Sequence, residues 1–286
     1  MRLCNLGILC KFAFMEIIRI DSLDLAELNV YVHLTEAQLR NRLEPEKGIF
    51  IAESLKVVRV ALEAGMEPVS FLAEEKYIYE QVLPLIDGLY DVPVYTGSRQ
   101  TLQALTGYEL SRGFLCAMRR PQLPSVHELC ESKHRIAVMD GVVNSTNTGA
   151  IFRAAAALGI EGILLTPTCC DPLNRRSVRV SMGTVFQLPW TYSPDPVSEL
   201  SRFGFKTVAL ALSPDAVDIN DISIKNSDKV AIVLGTEGDG LSQKTLSRCS
   251  HIAQIPMHRG VDSLNVAAAA AIAFWVFQFK NTEKTL

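Results

Sequence analysis

No apolar run in this chain reaches the roughly 20 residues that a membrane-spanning helix requires. Lys11 and Glu16 interrupt the first apolar segment, and no small-residue cleavage site of the kind a secretory signal carries follows it. Met15 is the expected start, with Met1 to Phe14 an upstream extension. The second apolar segment, residues 266–279, reads as a buried helix. The seven cysteines include no C-x-x-C pair and no histidine stands at zinc-ligand spacing, so a structural metal is not expected and reduced thiols in a cytoplasmic protein are. Internal repeats and low-complexity tracts are also lacking, which excludes solenoid architectures. An excess of positive charge is missing too: the net charge is −3, so a basic surface for nucleic acid has to be local. Residues 1–134 carry 14 Lys and Arg against 18 Asp and Glu, and residues 135–286 carry 14 against 13. The best local candidate is the run Arg175-Arg176-Ser177-Val178-Arg179.

What is present is alternation. A chain of 286 residues suggests two domains. Between Thr35 and Met118, short apolar runs at 49–52, 69–72, 92–95 and 114–118 read as strands. Ser54 can cap a helix through Ala64 that Gly65 ends, and further helices are expected near 75–84 and 98–105. The proline and charge content of 119–134 marks a linker. A second alternation follows, with strands at 136–139, 163–166, 208–212, 230–234 and 253–255, a helix over 150–158 and a last helix over 264–279. Apolar strands with both faces buried imply a mainly parallel sheet covered by helices. The domain plan is therefore an N-terminal extension at 1–29, a small α/β domain at 30–118, the linker, and an α/β domain over 135–286.

Three stretches of the second domain carry chemistry. In Asn147-Thr148-Gly149-Ala150-Ile151-Phe152-Arg153, either Asn147 or Thr148 can cap the helix, and Arg153 is a cation on an otherwise apolar helix. Gly235-Thr236-Glu237-Gly238-Asp239-Gly240 follows a strand as a phosphate loop would, yet matches neither glycine fingerprint, and two carboxylates would repel a diphosphate. Glu237 is the expected participant there, Asp239 a solvated turn residue. Ile255-Pro256-Met257 leads to Asp262-Ser263-Leu264-Asn265-Val266, where Asp262 or Ser263 is a natural cap and the amide of Asn265 needs partners of its own.

Read together, N-x-G-A-I-x-R-x-A-A-x-x-G, L-G-x-E-G-x-G-L and I-P-M-x-x-x-V-D-S-L-N-V closely resemble the three ordered motifs of the SpoU/TrmH branch of the SPOUT RNA methyltransferases. The resemblance covers roughly Arg135 to Phe279. It implies a methyltransferase domain with a parallel sheet and a deep C-terminal trefoil knot, an exception to the rule of unknotted connections. It implies S-adenosylmethionine as cofactor and transfer of its methyl group to a ribose 2′-oxygen of tRNA or rRNA. Gly235, Ile255, Met257, Ser263 and Leu264 would form the cofactor pocket, while Asn147, Arg153, Glu237 and Asn265 would be the catalytic polar residues. Arg153 would meet the target ribose either as base or as positioning cation. A guanidinium is a fixed cation with several donors, so holding the phosphate and stabilising a developing alkoxide suits it better than proton abstraction. Arg175, Arg176 and Arg179 would touch RNA, and a homodimer would form through the knotted domain. Ala267 departs from the family's frequent serine at that place. Residues 30–118 resemble the family's RNA-gripping domain through Ala52-Glu53-Ser54, the helix after it and Gly113.

Two other classes stand beside this one. An RNA-binding or ribosome-assembly protein with a vestigial pocket would bind cofactor without transferring a methyl group. A dinucleotide-dependent oxidoreductase is suggested by the glycine-rich loop, but its fingerprint spacing is absent.

Overall fold

The computed structural model describes residues 16–21, 25–32, 34–41, 43–106, 113–236, 238 and 240–278. The chain divides into two compact units, one of residues 1–121 with 173–179 and the other of 122–172 with 180–286.

The first unit is built on a five-stranded mixed sheet of β1 (Ile17–Arg19), β2 (Ile49–Glu53), β3 (Pro68–Glu74), β4 (Val94–Gly97) and β5 (Phe114–Arg119), in the order β1-β4-β3-β5-β2. β1, β4 and β3 run parallel, while β5 and β2 pair antiparallel. The expected strands are all present and the Leu55–Glu63 helix is capped by Ser54, whose hydroxyl accepts from the Val57 amide. Two boundaries need correction. Ile17–Arg19 pairs with β4, and Ile20 and Leu28 are buried in this unit's core, so part of the segment expected to be an extension belongs to this unit. The segment near 75–84 is not one regular helix but a 3₁₀ turn (Glu75–Tyr77) running into a π-helical turn (Ile78–Val82).

In the second unit, seven strands form one sheet: β6 (Arg135–Met139), β7 (Gly162–Leu165), β8 (Trp190–Tyr192), β9 (Lys206–Leu210), β10 (Val217–Asp218), β11 (Val230–Leu234) and β12 (His251–Gln254). Their order is β10-β12-β9-β11-β6-β7-β8 and every pairing is parallel, as the near-continuous apolar runs predict. All five residues of β11 and of β6 are buried. The expected linker is corrected in its second half, because Val126–Cys130 is a helix with a Ser125–Glu128 capping box, and Leu129 and Cys130 are buried in this unit's core. Burial pushes the Cys130 thiol up to about 11, so it stays protonated at neutral pH. No described helix is long and apolar enough to cross a membrane.

One buried cation ties the end of the chain to this sheet. The Arg135 guanidinium donates to the carbonyls of Phe277 (2.6 Å), His134 (2.9 Å), Asp228 (2.5 Å) and Ser227 (3.1 Å). Burial lowers its pKa, opposed by Asp228 and Glu161. It thereby holds the C-terminal end of the last helix, Val266–Phe277, whose carbonyls lack helical partners. Replacing Arg135 by Met should cost about 3 kcal/mol of unfolding free energy, because buried carbonyls lose a charged donor. Lysine should recover only part, lacking the fork that reaches several acceptors. Urea unfolding of the two variants checks this, and a methionine variant as stable as the parent would remove the clamp.

Candidate active site

The parallel register places the motif loops side by side. β11 pairs with β6 so that Leu234 lies level with Met139, and the Asp140 amide donates to the Leu234 carbonyl at 2.8 Å, extending the ladder to the last residue of β11. Ala253 of β12 lies level with Leu210 of β9. The segments starting at Asp140, Ala211, Gly235 and Ile255 therefore leave one edge of the sheet, where the carboxyl ends of parallel strands form the usual ligand crevice.

A cavity of about 450 Å³ opens at that edge, within the range of small-molecule sites. Gly235, Ile255, Met257, Ser263 and Leu264 all line it, so the five expected cofactor contacts are brought together. Leu210, Ala211, Leu212 and Gln254 also line it and were missed. No motif marks them; only their place at the carboxyl ends of β9 and β12 could have found them. The lining mixes aliphatic side chains with Thr236, Gln254, Asp262, Ser263 and loop backbone, a composition that fits a nucleoside with a charged tail.

The glycine loop closes on itself. Both the amide and the hydroxyl of Thr236 donate to the Gly240 carbonyl, at 3.2 and 3.3 Å, and Gly240 has a φ of +66°. A side chain on Gly235 would meet the Gly240 carbonyl carbon at 2.6 Å and the Leu241 nitrogen at 2.7 Å. Glycine is therefore required here by the loop's own backbone. Behind the loop, the turn Gln243–Leu246 is fastened from both sides: the Thr245 hydroxyl donates to Asp140 (2.8 Å) and Arg248 donates to Asp195 (2.8 Å).

Helix Ser145–Ala157 begins earlier than expected and neither Asn147 nor Thr148 caps it. Asn144 does, accepting from the amides of Thr146 and Asn147. That shift leaves Asn147 inside the first turn, buried, with its side-chain oxygen accepting from the Asn265 amide at 3.1 Å. Asn265 also caps the last helix, accepting from the Ala267 amide at 3.0 Å, in the role expected of Asp262 or Ser263. Two of the expected catalytic residues thus meet directly. Arg153 lies on the same helix as Asn147, exposed, its side chain with no hydrogen bond or ion pair among the described residues. Glu237 and Asp239 lie outside the described residues.

The basic run divides. Glu53, buried, takes Arg175 at 3.3 Å and Arg179 at 3.8 Å, both within the first unit. Burial lowers the pKa of Arg175, while Glu53 opposes that shift. Arg176 is exposed, with only its backbone amide bonded, to Asn174. The run is therefore not the free basic surface its sequence suggests. Among the described residues, no cluster of His, Cys, Asp or Glu is placed to hold a metal ion.

With this geometry in place, residues 134–275 match the model of the SpoU rRNA Methylase family. An uncharacterized tRNA/rRNA methyltransferase of Mycobacterium bovis is 34% identical over 254 residues, covering 87% of each chain. The chain belongs to the SpoU family. A second relative, the Bacillus subtilis 23S rRNA guanosine 2′-O-methyltransferase RlmP, is 27% identical, covering 71% of this chain and 86% of its own. Among solved structures, an AdoMet-bound rRNA methyltransferase from Sinorhizobium meliloti superposes with a TM-score of 0.77 at 24% identity, covering 91% of this chain and 97% of its own. SpoU membership agrees with the three motifs and with the all-parallel sheet.

Within the SpoU domain the Gly235 contact yields a test. Gly235→Ala should displace the Gly240–Leu241 backbone and lower affinity for S-adenosylmethionine by at least about tenfold, since a 1 Å misplacement of a binding group is costly. Calorimetric titration checks it, and unchanged affinity would show that the loop tolerates the side chain.

Proposed function

We propose that this SpoU-family chain transfers a methyl group from S-adenosylmethionine to a ribose 2′-oxygen of tRNA or rRNA. The observation that carries the reading is the gathering of Gly235, Ile255, Met257, Ser263 and Leu264 around one cavity while Asn265, capping the next helix, bonds Asn147. The cavity fits the cofactor, with aliphatic walls for a nucleoside and polar groups for its amino-acid tail; when bound, it supplies an electrophilic methyl group. The chain's own residues do the rest. Arg153 holds the phosphate beside the target ribose and offsets negative charge developing on its 2′-oxygen. Asn147 and Asn265 fix each other, and so fix the two helix starts that flank the reacting groups. Glu237 belongs to the same reading as the acid of the glycine loop, and Arg176 as the cation of the 175–179 run free to meet RNA. Residues 30–118 would grip RNA, in a cytoplasmic protein.

A homodimer through the last helix belongs to the same proposal, as does threading of the C-terminal stretch into a trefoil knot. The helix buries Val266, Ala270, Ala273, Phe274 and Phe277, yet leaves Ala268, Ile272 and Trp275 exposed at helical spacing, with Trp275 64% exposed. A stripe of that kind suits a second copy related by a twofold axis. Trp275→Glu should convert the dimer to a species near 31.5 kDa by light scattering. A parent protein of that mass at micromolar concentration would overturn the dimer.

For the chemistry, Arg153→Ala should leave the melting temperature and cofactor affinity near those of the parent, because the side chain has no partner among the described residues to lose. Single-turnover methyl transfer to bulk tRNA or rRNA should fall by about a hundredfold or more. Lysine should rescue poorly. The product should be an alkali-resistant dinucleotide; methyl found on a base would sink the 2′-O assignment, and cofactor binding without transfer to any RNA would favour the vestigial-pocket reading.

A further inference from the structure

The loop between β12 and the last helix contains a residue in a backbone conformation its side chain disfavours. Arg259 has φ +59° and Gly260 has φ +71°, and the Val261 amide donates to the His258 carbonyl at 3.2 Å to close the turn. Two consecutive positive φ values are the mark of a primed turn, whose first central place favours Gly, Asn or Asp. An arginine there is strained for its Cβ alone. Local packing does not offset that strain: Arg259 is exposed and its side chain has no hydrogen bond or ion pair among the described residues, although Asp262 lies three positions away. Strain that no contact among the described residues offsets points outward, to a ligand.

Position tells which ligand. Met257 on one side of the turn and Asp262 on the other line the cavity, whereas Arg259 itself does not. The cation therefore stands on a turn that begins and ends at the cavity wall, outside the cavity itself. Arg153, the other exposed motif cation without a side-chain partner among the described residues, is likewise absent from the lining. Resting on the methyltransferase reading, we propose that Arg259 is a substrate-positioning residue that binds a backbone phosphodiester of the RNA at the cavity rim. Its fixed turn presents a guanidinium fork whose donors match the phosphate oxygens.

The test uses the full chain with Arg259→Gly, which relieves the backbone strain, and Arg259→Gln, which keeps a long side chain but removes the charge. Filter binding to bulk tRNA and to fragmented ribosomal RNA is followed across a salt series, with melting temperature and calorimetric binding of S-adenosylmethionine measured alongside. The expected result is RNA affinity lower by about tenfold in both variants and a salt slope shallower by about 0.7 to 0.9, one phosphate contact. Cofactor affinity should be unchanged, and the melting temperature of the glycine variant equal to or above the parent's. A glycine variant that melts lower, or RNA binding unchanged in either variant, overturns the proposal. Loss of cofactor affinity with RNA affinity intact also overturns it and assigns Arg259 to the cofactor's carboxylate. A parent chain that binds neither RNA removes the contact altogether. A parent that binds RNA through Arg259 yet transfers no methyl group leaves the phosphate contact standing and removes the methyltransferase reading instead.

Discussion

The pairing of β6 with β11 is the constraint from which the site follows. Both strands are buried along their whole length, so their backbone groups can be satisfied only by each other and by their neighbours in the ladder. Parallel pairing meets that demand and, with Leu234 level with Met139, brings both chains out of the sheet at one edge. Apart from Gln254 at the end of β12, the polar side chains that line the cavity come from the loops. Crowding is the consequence. The segment after Leu234 turns back so tightly that Gly235 touches the backbone of Gly240 and Leu241, and a side chain there has no space whether or not a ligand is bound.

The last helix is the second structural dependency, and it is anchored by its ends. Its body is apolar nearly all round, which gives it little directional preference against the sheet. Orientation comes from polar groups at the termini: Arg135 grips the Phe277 carbonyl at one end, and Asn265 bonds both the Ala267 amide and Asn147 at the other. A charged clamp at the bottom of the sheet and an amide pair at the top thus fix the same element. The fold's stability and the alignment of two site residues run through one helix.

How much of this was legible in the sequence depended on the range of the interaction involved. Strands of four or five buried residues announced themselves through composition, and the motif residues of the cavity through order and spacing. Short edges did not. β1 and β10 carry three and two residues, too few for a periodic signal, and their pairing is set by neighbours distant in the chain. The helix cap was ambiguous because Asn144, Ser145, Thr146, Asn147 and Thr148 are all capping types in succession, and only tertiary structure selects Asn144. Leu210, Ala211 and Leu212 line the cavity by virtue of sheet order, which no local pattern records.

The arginines show most plainly what sequence alone withholds. Arg135, Arg153, Arg175, Arg176 and Arg259 are chemically the same residue, and each stands beside apolar or basic neighbours. What separates them is a partner far away in the chain: Glu53 for Arg175, and the Ser227, Asp228 and Phe277 carbonyls for Arg135. Those cations are already engaged within the fold. Arg153, Arg176 and Arg259 are exposed and their side chains have no partner among the described residues. A chain of net charge −3 has no bulk field to attract a polyanion, so cations such as these three act by placement rather than by number. Two of the three lie on segments that also carry cavity or site residues. A few well-placed phosphate contacts fix the position of a polyanion more than they add indiscriminate affinity.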